Sequence, residues 1–117
     1  MSLIYKICDH AMWQEAERRG VFTGAEVDLK DGYIHFSTAA QLAETAAKHF
    51  RGRQGLVLVA VDATRLEIRW EPSRGGDLFP HLYADLPVKE AVSVIPMHPD
   101  GNGVPVPEGG FPDTRTS

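Results

Sequence analysis

The segment LVLVAV, residues 56–61, is apolar at every position. A strand with one wet face alternates apolar and polar residues, whereas a strand covered on both faces has an unbroken run. Six residues suit a strand and fall far short of a membrane span. A chain built on this segment must therefore supply cover for both sides of it. It has 117 residues with which to do so, 43% of them hydrophobic, enough for one domain and one substantial core.

The residues on either side predict that cover. LIYKIC (3–8) reads as a first strand, and Asp9 stands where it would cap a helix. Met12, Trp13 and Ala16 give that helix an apolar stripe, and Gly20 suits its C-terminus. TGAEVDLKDG (23–32) reads as a polar connection turning at Asp31-Gly32. YIHFST (33–38) predicts a second strand. Thr38 and Gln41 have the spacing of a capping box, and they open a helix with Leu42, Ala43, Ala46, Ala47 and Phe50 on one face and a Glu44–Lys48 pair on the other. LEIRWE (66–71) alternates, with Leu66, Ile68 and Trp70 inward and Glu67, Arg69 and Glu71 outward. PSRGGDLFP is a loop leading to a strand at HLYADL (81–86), and AVSVI (91–95) is the last strand. From Pro96 onward lie five of the eight prolines and four of the eleven glycines, so residues 97–117 read as a loop-like tail on a single domain of residues 1–96. Two early helices followed by several strands define an α+β class.

Charge narrows the partners. A net charge of −4 argues against a protein that grips long nucleic acid through its phosphates, while leaving room for one small anionic ligand in a local pocket. Cys8 is the one cysteine, which forbids an intramolecular disulfide and favours a reducing compartment. The opening MSLIYKICDH lacks a basic segment followed by a long apolar run, so a cytoplasmic location is expected. The cysteine and the scattered histidines form no zinc pattern.

Two strand faces carry the functional signal. In YIHFST, Ile34 and Phe36 share one side and Tyr33, His35 and Ser37 the other. In HLYADL, Leu82, Ala84 and Leu86 oppose His81, Tyr83 and Asp85. If both polar faces line one cleft, His35, Ser37, His81, Tyr83 and Asp85 converge, offering proton donors and acceptors near neutral pH and an aromatic surface for a ring. The loop SRGGD adds a phosphate-binding candidate: Gly75 and Gly76 let backbone N–H groups approach an anion, and the Arg74 guanidinium can fork onto its oxygens.

Taken in order, IYKI, DGYIHFSTAAQ, RWEPSRGGDLFPHLY and the following LP resemble the bacterial domain of unknown function 952 family over residues 3–96. That family is grouped with the ADP-ribosyltransferase-like folds. The resemblance implies two small, bent, mostly antiparallel sheets around a cleft that in relatives holds NAD. It places His35 on the cleft strand and Tyr83 on a later one. Where NAD-binding relatives carry a His-Gly-Thr or an arginine on the first strand, this chain reads YKICD, and Lys6 takes that place. The catalytic candidates are then His35, Tyr83, Glu71 and Asp85, an acid among them stabilising an oxocarbenium charge or activating the acceptor. The candidate contacts to NAD or a similar anionic nucleotide are Ser37, Thr38, Trp70, Arg74, Gly75, Gly76 and His81. A ligand-sensing module without catalysis, or a protein-interaction domain, is the alternative reading.

Overall fold

The structure is a computed structural model and describes residues 1–73 and 75–114. Its strands are β1 (Leu3–Asp9), β2 (Val21–Phe22), β3 (Ile34–His35), β4 (Leu56–Asp62), β5 (Ile68–Ser73), β6 (Asp77–Leu82), β7 (Leu86–Pro87), β8 (Ala91–Pro99) and β9 (Pro105–Pro107). Its helices are α1 (His10–Arg19), α2 (Glu26–Asp31) and α3 (Ala39–His49). The apolar run is β4, an inner strand of the antiparallel sheet β1-β4-β8-β9. Alternate residues of β1 and β4 feed two cores, as double-sided cover requires. Ile4, Cys8, Val57, Val59 and Val61 pack with Trp13 and Ala16 of α1, Phe22, Ile34, Phe36, Leu82 and Leu86. Tyr5, Ile7, Leu56, Leu58 and Ala60 pack with Ala39, Leu42 and Ala46 of α3 and with Met97. Two smaller antiparallel sheets, β3-β6-β5 and β2-β7, complete an α+β fold. No helix of the described residues is long and apolar enough to cross a membrane.

The segment 33–38 is less of a strand than its alternation predicts, and the reason is a change of partner. Ile34 and His35 pair with Leu82 and His81 of β6. At Phe36 the chain bends, its N–H donating to the Pro80 carbonyl at 3.0 Å, and Ser37 then exchanges two 2.8 Å backbone hydrogen bonds with Tyr5 of β1. One short segment thereby ties the three-stranded sheet to the four-stranded one. The expected faces hold: Ile34 and Phe36 are buried, and His35 is at the surface margin. Thr38 and Gln41 form the full capping box, with bonds of 3.2 and 3.0 Å. Ala43 is exposed and Thr45 buried, which turns the inner face of α3 slightly from the predicted one.

Several other expectations are corrected. The polar connection 23–32 contains α2, closed by Gly32 at φ +86°. Asp9 makes no side-chain cap to α1 and instead meets Arg53 at 2.9 Å. Gly75 and Gly76 are the exposed turn of the β5–β6 hairpin, so the strand starts at Asp77 rather than His81. It ends at Leu82, where pairing with β3 and β5 runs out. Tyr83, Ala84 and Asp85 therefore belong to an exposed turn and not to two strand faces. Trp70 is 44% exposed, although it pairs with buried Pro80 and shares its strand face with Ile68, which packs on the core. The boundary expected at Pro96 falls inside β8, whose continuation buries Met97 and pairs with β9.

Candidate functional site

The site is organised by a residue in the segment that reads as a turn. Asp28 occupies the third position of α2, from which its side chain reaches back to the Ala25 N–H at 2.8 Å, half of a capping box. The same buried carboxylate accepts from Lys6 Nζ of β1 at 2.9 and 2.7 Å and from the His35 N–H at 3.0 Å, and it meets His35 Nδ1 at 2.6 Å. The other ring nitrogen, Nε2, faces Asp31 at 3.0 Å, so the ring is held at both nitrogens. Burial alone would push the Asp28 carboxyl up. The hydrogen bond from His35, the charge and hydrogen bond of Lys6 and the Ala25 amide outweigh it and hold the group at about 2. A buried charge is tolerated on such terms only when its lone pairs are met.

Behind His35 lies a second histidine–carboxylate pair. His81 is buried and its Nδ1 meets Glu71 at 2.8 Å, while the Tyr83 hydroxyl donates to the same Glu71 oxygen at 2.7 Å. The His81 and Tyr83 bonds lower the Glu71 pKa, and the Glu71 bond raises that of Tyr83. The Tyr33 ring joins the two pairs, with centroids 4.5 Å from His35, 4.2 Å from His81 and 5.0 Å from Tyr83. Arg69 stacks over Tyr83 at 4.9 Å.

On its other side His35 borders a cleft of about 390 Å³ along the free edge of β1. Tyr5, Lys6 and Ile7 form one wall, Phe36 and Ser37 the back, and Thr45 and His49 of α3 the far side. Phe50 and Arg53 lie between this lobe and a second one of about 440 Å³ that reaches α1 and the start of α2. Ser37 and Thr45 join hydroxyls at 2.9 Å, and the Arg53 guanidinium sits 5.1 Å over the Phe50 ring. Tyr5 pairs through its backbone with Ser37, so alternation turns the N–H and C=O of Ile7 in the same direction, away from β4. Beyond Ser37 that edge has no strand partner among the described residues. Cys8 is also buried here; burial first, then Asp9 and Asp28, push its thiol up to about 12 against the lowering effect of Lys6.

The predicted residues thus divide. His35 and Ser37 line the cleft, whereas His81, Tyr83 and Glu71 form the cluster behind His35 and stand outside the lining. Asp85 borders a separate depression of about 210 Å³ with Tyr33 and Tyr83. Thr38 caps α3, Trp70 is exposed and outside the cleft lining, and Gly75 and Gly76 form an open turn near Ser73, which does reach the cleft. Arg74 lies outside the described residues. Sequence reasoning missed Asp28, Asp31, His49 and Arg53. The available signal for the first two was local: Gly24 and Gly32 bracket a stretch with Glu26 and Asp28 in its first turn and Lys30 in its last, the charge order of a short helix.

These features define a small α+β protein with three antiparallel sheets, a cleft beside the first strand and paired histidine–carboxylate contacts at its margin. The family described as protein of unknown function DUF952 matches residues 7–94, and the chain belongs to that family. Among solved structures, the crystal structure of the protein CC0527 from Caulobacter crescentus is 50% identical, with a TM-score of 0.86 over 89% of this chain and 93% of that one. The solution NMR structure of CC0527 is similar at 50% identity and a TM-score of 0.82, over 90% and 92% of the two chains. No curated protein matches.

Proposed function

We propose that the cleft beside β1 binds a small anionic ligand of the nucleotide class, NAD included. The observation that carries this reading is the unpaired edge of β1 at Ile7. Ile7 is buried and lines both lobes, and its backbone donor and acceptor face a space where no strand of the described residues meets them. Buried backbone groups require partners, and a donor beside an acceptor matches the edge of a carboxamide or of an adenine ring. His35, fixed by Asp28, offers a ring at the margin for a ribose hydroxyl. Arg53, with guanidinium N–H groups beyond the one given to Asp9, suits a phosphate at the boundary of the lobes. The combined space matches ligand sites of this class.

The reading extends to binding and not to transfer of an ADP-ribosyl group. An acid that stabilises an oxocarbenium charge must stand beside it. Glu71 is engaged by His81 and Tyr83 outside the cleft lining, and Asp85 borders another depression. The test is thermal unfolding with NAD, ADP-ribose, adenosine 5′-phosphate and inorganic phosphate, each in excess. A ligand at a hundredfold its Kd adds about 2.7 kcal/mol, a shift of several degrees. His35→Ala and Arg53→Ala should each reduce that shift. A flat response to every ligand overturns the reading, and turnover of NAD overturns its restriction to binding.

A further inference from the structure

Ser37 and Thr45 set the hydrogen-bonding polarity of the inner cleft. Thr45 Oγ1 lies 3.1 Å from the Gln41 carbonyl one turn back on α3 and 2.9 Å from Ser37 Oγ. A carbonyl only accepts, so the Thr45 hydroxyl hydrogen goes to Gln41. The contact between the two hydroxyls then needs the Ser37 hydrogen, which Ser37 donates to Thr45. Ser37 Oγ is left with lone pairs and no hydrogen to give. The Ser37 side chain is almost wholly buried, yet it lines the cleft. Its backbone N–H and C=O are both used on Tyr5, so the hydroxyl oxygen is what Ser37 has to offer a ligand. On the adjoining wall the Ile7 carbonyl is a second acceptor, two residues along β1 from Tyr5.

From this geometry we infer that Ser37 is a specificity-determining residue that accepts a hydrogen from a ligand –NH2 group, an adenine amine or a primary carboxamide, and that Thr45 is the positioning residue that makes it an acceptor. The inference rests on the nucleotide reading above and adds the chemical choice that the cleft makes. An –NH2 carries two hydrogens, one for each wall acceptor. A carbonyl or carboxylate oxygen at the same place would oppose both acceptors, and buried lone pairs without donors are costly. The Thr45 role has a consequence that a packing role lacks. Thr45→Val keeps the shape and removes the acceptor of the Ser37 hydrogen, so Ser37 becomes free to donate.

The experiment measures Kd for two matched pairs, adenosine against inosine 5′-phosphate and nicotinamide against nicotinic acid mononucleotide. It uses the full chain, Ser37→Ala and Thr45→Val. The native protein should prefer the –NH2 member of at least one pair by about tenfold. Ser37→Ala should weaken that member and bring the ratio close to one. Thr45→Val should narrow the ratio by strengthening the oxygen-bearing member, with cooperative unfolding retained in both variants as the check on folding. An unchanged ratio in both variants overturns the inference while leaving the cleft reading intact. Absence of binding by all four mononucleotides removes the cleft reading and the inference with it. A ratio near one in the native protein, with binding present, overturns the inference alone.

Discussion

α3 and α2 are built on opposite plans. α3 starts at a complete capping box, buries Leu42 and Ala46, and shows Glu44 and Lys48 to water as a 2.7 Å pair. α2 is inside out. Its buried residue is Asp28, while Val27 and Leu29 are 52% and 65% exposed. A helix of eleven residues gains its place by apolar burial, and its pattern records that gain. A helix of six residues is too short to hold itself in water and has no apolar side turned inward. What holds α2 is one carboxylate shared among Lys6, Ala25 and His35. The contrast teaches that a polar latch positions an element as firmly as a stripe of leucines does, but leaves no periodicity to read.

The largest expected effect tests the latch. Asp28→Ala leaves the buried Lys6 ammonium without its partner carboxylate and should cost about 3–5 kcal/mol by denaturant unfolding. A cost no larger than that of an ordinary surface change would show that α2 is held by something else. Acid gives the next effect. The Asp28 pKa is held at about 2 in the folded chain, below its unfolded value. Its contribution is therefore complete above about pH 4 and is lost as pH falls through about 2, on the order of 2 kcal/mol in all. Unfolding curves from pH 5 to pH 2 should show this decline, and Asp28→Asn should flatten it; an equal slope in both proteins sinks the assignment. The smallest effect belongs to α3. Thr38→Ala removes a cap from a helix that Leu42 and Ala46 still anchor, and should cost about 1 kcal/mol. If it exceeded the cost at Asp28, the ranking of latch over cap would be reversed.

The same contrast explains what could be read in advance. β4 was legible as an unbroken apolar run, and α1, α3 and the split of Ile34 and Phe36 from His35 were legible because burial of apolar groups on one face has a period. The partner change at Phe36 was not, because it depends on the Pro80 carbonyl from a strand far along the chain. The early start and end of β6 depend on pairing with β5, which no single strand specifies. Trp70 was assigned inward by the alternation of 66–71, which does place it on the face of Ile68, but alternation does not say how far the core extends along that face, and Trp70 is left 44% exposed. In the site, His35 and Ser37 were found because they sit on a strand-like stretch. Asp28, His49 and Arg53 were not, because each takes its place through tertiary contacts: Asp28 meets His35 and Lys6 from a short helix, and His49 and Arg53 reach the cleft from the last turn of α3 and the loop after it.

The buried thiol of Cys8 has a consequence in time. A thiol attacks an electrophile as its thiolate, and a group held at about 12 with 2% exposure has almost none of that form at neutral pH. In the folded chain it is therefore chemically silent. Cys8 lies opposite Val57 in the β1–β4 ladder at the base of the second lobe of the cleft, so a soluble electrophile reaches its sulfur only when the packing around the edge strand β1 opens. The rate at which the one thiol of this chain is labelled under native conditions is then a clock for opening at β1 beside the cleft, with neither a probe to attach nor a residue to replace.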